Sequence, residues 1–382
     1  MKSIYLSFAL ILFSSCGSYN DVVYTPSITG AMADKDSWYL DETNDVTVMD
    51  VTIPVPNEYT CKPYDDMNAS PRPCTLEDVN NDTDPYDDYE PVLHVQMRTA
   101  DFIPANGQMN AEFKIKGGFT RFATQKSYSL KLDSKTALYK KQRKLFFTKS
   151  QSDRSRSQNK LAFSLFQSIP NLSSSKVAFI NLKLDGVDYG LFNQVENIRE
   201  EWLVNRGWNK DDNLYNAVNF VFQTHQSLEI GVDGQPTDPI GFKQILEIKN
   251  GVNHLKLNEM LAAVESASDI DQVVSKYFDR DNYLTWMAIN LVLNNKDTLQ
   301  HNYYLYNPLY GDTFYFLPWD YDGAWSSAEY LGKNEYGISV WWKSNLHKKF
   351  LSVKKNRDDL YAMADKLRAE YLTDVAMRER LD

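Results

Sequence analysis

The chain has 382 residues and an ordinary globular composition, with 43% hydrophobic and 24% charged residues. This length is enough for two domains or for one large domain with two lobes. The formal net charge of −10 argues against a general nucleic-acid-binding protein, because phosphate backbones are held by clustered Lys and Arg.

The first residues have the pattern of a secretion signal. Lys2 precedes an apolar run from Ile4 to Phe13, and small residues lead up to Cys16. The run is too short to span a bilayer as a mature helix, and this arrangement is typical of a bacterial lipoprotein signal. The sequence therefore predicts a signal peptide over residues 1–15, a lipid on Cys16 and a tether over residues 16–45. Simple secretion is the alternative, and in both cases the mature chain leaves the cytoplasm.

Cys61 and Cys74 are the two other cysteines, 13 positions apart. An even pair outside the cytoplasm favours a disulfide bond, and two unpaired thiols are the alternative. They lie within an acidic insertion predicted over residues 57–90. Oxygen side chains at alternate positions from Asp78 to Asp84 are similar to a calcium loop, but the turn Gly and the distal Glu are missing. We therefore expect a solvated acidic segment.

A β-rich region follows the tether and continues on both sides of the insertion. Strand composition or alternation occurs over residues 46–55, 92–97, 112–116 and 126–132. Between the last two, Lys116 is followed by Gly117-Gly118-Phe119-Thr120-Arg121. Such a loop would let backbone N–H groups approach phosphates, although a Gly-Gly pair is more often a simple hairpin turn.

After the β-rich region, the sequence predicts a helix, a hairpin and then a predominantly helical remainder. A helix is predicted over Asp153–Gln167, followed by a hairpin whose strands are residues 177–184 and 189–192. Further helices are predicted at residues 255–266, at 271–277 and from Asp281 onward, at the spacing of a buried face. Closing elements are predicted over residues 338–343 and 357–370.

The stretch from Asn294 to Trp325 carries the densest group of chemically useful side chains. Two aromatic runs flank Gly311-Asp312, which predicts two paired strands. Oxygen donors lie at both ends of this hairpin: Asp297 and Asn302 before the first strand, and Asp320 and Asp322 after the second. Because a hairpin returns to its starting point, these groups converge and offer the ligands that Mg²⁺ uses. The alternative is that they cap turns or face solvent.

Asp-x4-Asn followed, after a hairpin, by a second Asp is the arrangement in which protein kinases present a base and two metal ligands. The kinase signatures HRD and DFG are missing. With NYYLY over residues 302–306 and PWDYDGAW over residues 318–325, the spacing resembles the spore coat protein H (CotH) family of atypical protein kinases. The resemblance extends from about Val46 to the end of the chain.

This resemblance implies an α+β, two-lobed atypical protein-kinase-like fold over residues 46–382, with a β-rich N-lobe and a mainly helical C-lobe. It implies ATP and Mg²⁺ (or Mn²⁺) as cofactors, with Asp297 as the catalytic residue. The implied metal ligands are Asn302, Asp320 and Asp322. The implied phosphate-site residues are Lys116, Arg121, Lys126 and Glu196. Lys126 begins the match to the family's Lys-Ser-Tyr strand, so the resemblance implies it as the phosphate-neutralising lysine. Glu196 stands where the family has a glutamate paired with the nucleotide-site lysine.

Two residues depart from the family pattern. Asn159-Lys160-Leu161-Ala162 matches, but Gln158 stands where Arg is expected; Asn213-Leu214-Tyr215 matches, but Asn216 replaces an expected Lys. Three functions therefore remain open. The first is a lipid-anchored or secreted kinase of the cell envelope that acts on Ser or Thr hydroxyls of an unidentified protein. The others are a degenerate kinase-fold binding protein and a metal-dependent hydrolase.

Overall fold

The protein is described by a computed structural model, in which residues 32, 38, 43–85, 88–105, 107–151, 153–325 and 341–381 are described. The predicted signal peptide and Cys16 lie outside these residues, as does most of the predicted tether. Within these ranges, no helix has the length and apolar character needed to cross a membrane.

Thirteen strands and ten helices can be assigned in the described ranges. The strands are β1 (Val46–Thr52), β2 (Thr60–Cys61), β3 (Arg72–Pro73), β4 (Leu93–Arg98), β5 (Ala111–Lys116), β6 (Ser127–Leu132), β7 (Lys144–Thr148), β8 (Val177–Leu184), β9 (Val187–Glu196), β10 (Asn213–Ala217), β11 (Leu246–Asn250), β12 (Tyr303–Asn307) and β13 (Tyr315–Pro318). The helices are α1 (Leu76–Asn81), α2 (Gln158–Gln167), α3 (Glu200–Asn205), α4 (Pro239–Ile245), α5 (Leu255–Ser266), α6 (Ile270–Tyr277), α7 (Arg280–Val292), α8 (Asn345–Ser352), α9 (Lys354–Glu370) and α10 (Asp374–Leu381).

Seven strands form a closed barrel, which is the N-terminal lobe. Their spatial order is β1-β4-β5-β6-β7-β9-β8. The barrel closes because β1 pairs with β8 in parallel, whereas the other neighbours are antiparallel. Alternate residues point inward, as the two-residue period of a strand requires, and Phe113, Leu130 and Phe147 are fully buried there. The polar residues between them cover the outer face.

The C-terminal lobe combines most of the helices with a four-stranded sheet in the order β11-β10-β12-β13. Its centre is α7, where residues 282 to 290 are all buried. Trp286 stacks on Phe316 of β13 with ring centroids 4.4 Å apart. The fold is therefore α+β with a β-rich lobe and a mainly helical lobe, which confirms the predicted fold class.

Helix α2 packs with the C-terminal lobe core and connects the barrel to it. Phe163 and Phe166 lie against Tyr321, the latter at a centroid distance of 4.6 Å. The predicted start of this helix at Asp153 was wrong. Arg156 has a left-handed backbone (φ 62°), which an α-helix does not accommodate, so the helix begins at Gln158.

The predicted hairpin is confirmed, with Tyr303 opposite Pro318 and Leu305 opposite Phe316. The helices predicted at residues 255–266 and 271–277 are also confirmed. Of the predicted closing element at residues 338–343, the first three residues lie outside the described part, and residues 341–343 form a helical turn before α8.

Candidate active site

The β12–β13 hairpin holds both of its ends against the C-terminal end of α7. The chain leaves α7 at Val292 and reaches β12 after Asn302. On the other side of the hairpin, the backbone N–H of Trp325 donates to the carbonyl of Leu293 at 2.7 Å. The segments before β12 and after β13 are therefore tied to the same helix end.

Asp297 and Asn302 form the first half of the site. Asn302 Nδ2 donates to Asp297 Oδ2 at 2.8 Å, and His301 Nε2 lies 3.0 Å from Asp297 Oδ1. The hydrogen bond with Asp297 raises the pKa of His301. The Asp297 side chain is nevertheless 43% exposed, so a second molecule can reach a carboxylate whose orientation is already set.

Asp320 and Asp322 form the second half, and neighbouring elements hold the loop that carries them. Asn159 of α2 hydrogen-bonds the Asp320 side chain, and its Oδ1 accepts the backbone N–H of Tyr321 at 2.7 Å. Ser150, which follows β7, hydrogen-bonds Asp322. The barrel and α2 thus both contribute to the position of these carboxylates.

The two halves meet at Gly323. A Cβ added at this glycine would lie 3.2 Å from the Cβ of Asp297. This is tighter than an ordinary van der Waals contact, so a side chain at position 323 would push the loop away from Asp297. Glycine at this position lets the loop that carries Asp320 and Asp322 approach Asp297.

Like charges are crowded in this site. Burial, reinforced by the charges of Asp322 and Asp297, raises the pKa of Asp320 to about 7. Burial also raises the pKa of Asp322. Such carboxyl groups either hold a proton or bind a cation at neutral pH, and the site is therefore suited to an electropositive ligand.

The charge of Lys116 acts on these carboxylates and counters theirs. This lysine is the last residue of β5, and its Nζ lies 4.8 Å from the ring centroid of Phe146. Burial lowers the pKa of Lys116, while the charges of Asp320 and Asp322 act in the opposite direction. Lys116, a predicted phosphate-site residue, therefore interacts with two of the predicted metal ligands, Asp320 and Asp322.

Several residues of the site have left-handed backbones. Asn294, Asn302, Asp320 and Trp325 have φ values between 49° and 59°. Asn and Asp tolerate this region better than most residues, whereas a Trp adopts it rarely. Conformations of this kind concentrate at functional sites, where the surrounding structure holds them in place.

Arg121 and Lys126 have their principal contacts elsewhere. Arg121 Nη1 donates to both oxygens of Asp82 at 2.7 and 2.8 Å, and its Nε donates to the carbonyl of Gly117. Lys126 Nζ donates to the carbonyl of Arg121, and its charge partner is Asp82. The contacts of both residues connect the loop after β5 to the acidic insertion.

Glu196 contacts Arg206 and the backbone of Lys176. It is 1% exposed, its Oε1 lies 3.7 Å from Nη1 of Arg206, and its Oε2 accepts the backbone N–H of Lys176 at 3.0 Å. The glutamate that the resemblance pairs with a nucleotide-site lysine has an arginine partner here.

The two departures from the family pattern lie in different surroundings. The backbone N–H of Gln158 donates to Asp153 Oδ2 at 2.9 Å, at the start of α2 and close to Asn159. Asn216 lies in β10, where its amide reaches Glu247 Oε2 at 3.5 Å. An amide therefore stands beside Glu247 at the position where the family pattern has a lysine.

A cleft of about 830 Å³ lies on the outer face of the barrel. Its lining includes Lys114 and Lys144 from the same barrel face that carries Lys116, together with Arg199 just after β9. Burial and the charges of Lys114 and Arg199 lower the pKa of Lys144 to about 8. Trp319, next to Asp320, packs edge-on against Phe146 of β7 at 6.3 Å.

The acidic insertion contains the predicted disulfide. Cys61 and Cys74 are bonded, with their Cα atoms 5.3 Å apart. Most of the described acidic side chains of the insertion are exposed, as expected for a solvated segment, but Asp82 is fully buried and Asp78 is 4% exposed. Both form ion pairs within the protein: Asp78 pairs with Arg72, and Asp82 pairs with Arg121.

The donor set at the hairpin fits a hard cation that also binds phosphate. In the described part of the chain, no three His, Cys, Asp or Glu side chains are grouped as a metal site by themselves. The amide of Asn302 and the carboxylates of Asp320 and Asp322 would supply only part of a coordination shell. Mg²⁺ commonly takes one or two carboxylates and completes its shell with water and phosphate oxygens.

Two contributors to the site were not among the predicted site residues. Asn159 belongs to the Asn159-Lys160-Leu161-Ala162 motif, and its side chain holds the loop that carries Asp320. Ser150 lies in a loop without any recognisable pattern, and only the folded chain brings it to Asp322.

Comparisons with known proteins identify a related family. The family model described as CotH kinase protein matches residues 113–382. The inner spore coat protein H of Bacillus subtilis (strain 168) is 28% identical over 160 residues, which cover 38% of this chain and 40% of that protein. The matched part of that relative is therefore about two-fifths of its length. The family match includes the hairpin site and Lys116, whereas the insertion over residues 57–90 precedes it.

Proposed function

The chain belongs to the CotH kinase protein family, and from this premise we propose that it is a Mg²⁺-dependent kinase. It transfers the terminal phosphoryl group of ATP to Ser or Thr hydroxyls of a protein. The observation that carries the proposal is the contact at Gly323, where the Asp297–Asn302 pair meets the Asp320–Asp322 pair. A base and a metal site next to each other are what phosphoryl transfer requires.

Each residue has a distinct part in the proposed reaction. Asn302, Asp320 and Asp322 would hold Mg²⁺, which would neutralise phosphate charge when bound. Asp297 orients the acceptor hydroxyl and takes its proton, while the acceptor oxygen bonds to the γ-phosphorus and the bond to the bridging oxygen of ADP breaks. The orientation of Asp297 by His301 and Asn302 supports this role.

The nucleotide is proposed to lie along the outer face of the barrel. Lys116 faces the phosphates near Asp320, and the cleft beside Lys114, Lys144 and Arg199 takes the rest of the nucleotide. The lining carries five Lys or Arg side chains and four Glu side chains, so its net charge is close to balanced. What supports the proposal is the local crowding of cations around Lys144, whose pKa is lowered by burial and by the charges of Lys114 and Arg199, because such a group favours an anionic ligand beside it. The predicted contributions of Arg121, Lys126 and Glu196 to phosphate binding remain predictions.

The proposed place of action is outside the cytoplasmic membrane, with a lipid on Cys16 as the anchor. The apolar segment before Cys16 supports this, and the related Bacillus subtilis protein is named for the inner spore coat. Membrane fractionation of cells that express Cys16→Ala tests the anchor, since loss of the lipid should release the protein.

Calorimetry with Mg²⁺-ATP and a phosphoryl-transfer assay test the kinase site. We expect Asp320→Ala to abolish Mg²⁺-dependent ATP binding, because it removes the carboxylate next to Lys116. Asp297→Ala should retain binding and lose transfer by about 10²–10⁴-fold, which is the usual contribution of a positioned base. Asp312→Ala is the matched control, because Asp312 is an exposed carboxylate at the opposite end of the same hairpin.

If Asp320→Ala binds Mg²⁺-ATP as well as the parent chain, the assigned site is wrong. A catalytically degenerate binding protein is the second candidate function, and the amides at Gln158 and Asn216 favour it. Nucleotide binding without any phosphoprotein or ADP would support this candidate. ADP and free phosphate without phosphoprotein would instead indicate a hydrolase.

A further inference from the structure

The acidic insertion (residues 57–90) reaches the loop over residues 117–126, which we call the glycine loop. The insertion lies outside the part of the chain that matches the family model, which begins at residue 113. The glycine loop lies within that part and directly follows Lys116. A segment outside the family match therefore contacts the loop nearest to the proposed phosphate site.

The main contact is an ion pair between Asp82 and Arg121. The Asp82 side chain is fully buried and that of Arg121 is 6% exposed. Both carboxylate oxygens accept hydrogen bonds from Nη1, and Nε donates to the carbonyl of Gly117 at 2.7 Å. Arg121 thus connects the insertion to the first residue of the glycine loop. A buried pair of this kind is expensive to break, because the remaining charge would have no partner.

The end of the insertion that carries Asp82 is firmly attached to the barrel. Val79 of α1 is fully buried, and Cys74 is 3% exposed in the barrel core. Asn80 Oδ1 accepts a hydrogen bond from the hydroxyl of Tyr128 at 2.8 Å. The Cys61–Cys74 disulfide closes the segment that precedes α1. Asp82 is therefore presented to the glycine loop from a fixed position.

The glycine loop has little freedom in its own conformation. Gly117 has φ 95°, and a Cβ at this position would lie 2.1 Å from Thr120 Oγ1. Thr120 Oγ1 donates to the carbonyl of Lys116 at 3.1 Å. The contacts of Arg121 and Thr120 thus hold the loop at the point where it leaves Lys116.

We propose that the insertion positions the glycine loop through the Asp82–Arg121 pair, so that Arg121 acts as a positioning residue. This inference rests on the proposed function, because the loop is assumed to approach phosphates. It differs from the role that family resemblance implies for Arg121, which is direct contact with phosphate. The two roles predict different results when Asp82 is changed.

A double-mutant cycle on the full chain separates these roles. The variants are Asp82→Asn, Arg121→Gln and their combination, and Mg²⁺-ATP affinity is measured by calorimetry. If Arg121 positions the loop, each single change lowers the affinity by about tenfold, as loss of a supporting contact does at other sites. The combined variant should then bind no more weakly than the weaker single variant, because both changes remove the same contact. The combined variant also leaves no unpaired buried charge, so it can still be measured if a single variant folds poorly.

If Arg121 binds phosphate directly, Arg121→Gln alone lowers the affinity, while Asp82→Asn leaves it unchanged or increases it. That outcome overturns the proposal. Arg72→Gln is the matched control, because Arg72 pairs with Asp78 in the same insertion and its side chain is 44% exposed. We expect this variant to bind as the parent does.

Hydrogen exchange without nucleotide separates failure of this inference from failure of the proposed function. We expect the amides of residues 117–126 to exchange faster in Asp82→Asn and Arg121→Gln than in the parent chain and in Arg72→Gln. Unchanged exchange overturns the inference whether or not the chain binds ATP. If these two variants exchange faster but the parent chain binds no ATP, the contact between the insertion and the glycine loop is supported and the proposed nucleotide site is wrong.

Discussion

At the scale of single residues, charge partners distinguish the two lysines next to the glycine loop. Lys116 and Lys126 lie at its two ends, and both were predicted to contact phosphate. The charges of Asp320 and Asp322 act on Lys116, whereas that of Asp82 acts on Lys126. Sequence similarity favoured Lys126, and the folded environment favours Lys116.

We therefore expect Lys116→Met to weaken Mg²⁺-ATP binding by about tenfold or more, equivalent to at least ~1.4 kcal/mol. Lys126→Met should have a smaller effect, because its charge partner belongs to the insertion. Calorimetry on the two variants makes the comparison, with each serving as the control for the other. A larger loss for Lys126→Met would restore the assignment that family similarity implies.

At the scale of secondary-structure elements, Asn282 connects α7 to β13. Its Oδ1 accepts the backbone N–H of Phe316 at 2.7 Å, and its Nδ2 donates to the carbonyls of Phe316 and Asn171. Asn282 is 1% exposed. One side chain thus satisfies three buried backbone groups and sets the position of the strand that leads to Asp320.

Asn282→Leu preserves approximate volume and leaves these backbone groups without partners. Each unsatisfied buried group costs roughly 1–3 kcal/mol, so we expect the free energy of unfolding to fall by about 3–5 kcal/mol. Urea unfolding measures the change, and Gln272→Leu on the exposed face of α6 is the control. A loss below about 1 kcal/mol would mean that water or a shift of β13 satisfies the backbone groups.

At the scale of the whole molecule, the C-terminal lobe buries two imidazoles that should make the protein sensitive to acid. His254 Nδ1 contacts the Tyr215 hydroxyl at 2.9 Å, and His347 Nδ1 contacts the Tyr283 hydroxyl at 2.6 Å. Burial lowers the pKa of His254 to about 4 and that of His347 to about 3. Both are therefore neutral in the folded protein at pH 5, whereas an unfolded histidine is largely protonated.

The unfolded state thus binds more protons below about pH 6.5, so the free energy of unfolding falls as the pH decreases toward these folded-state pKa values. We expect each histidine to contribute a loss of roughly 2 kcal/mol between pH 7 and pH 5. Urea unfolding at the two pH values should show a smaller difference for His347→Gln than for the parent. His225→Gln, at an exposed position, should keep the parent difference. An unchanged difference in His347→Gln would refute this account.

The sequence by itself determined the elements whose signals are local. The hairpin from Tyr303 to Pro318 follows from alternating aromatics around Gly311-Asp312, and this local pairing was enough to predict that Asp297, Asn302, Asp320 and Asp322 converge. The cysteine pair was predictable because an even number of remaining cysteines and the predicted export of the chain both favour a disulfide bond. The two lobes and the family followed from motifs that lie mainly within this hairpin.

Tertiary structure decided which surfaces meet. Periodicity shows which face of a strand is buried but not which distant strand lies beside it, so the parallel pairing of β1 with β8 that closes the barrel was not predictable. The same limit applies to charge partners. Arg121 pairs with Asp82 and Glu196 with Arg206 because packing across the fold brings those charges together and burial makes pairing necessary. Local sequence contains no signal for such contacts, and they determine which of the predicted phosphate-site residues lie near the carboxylates.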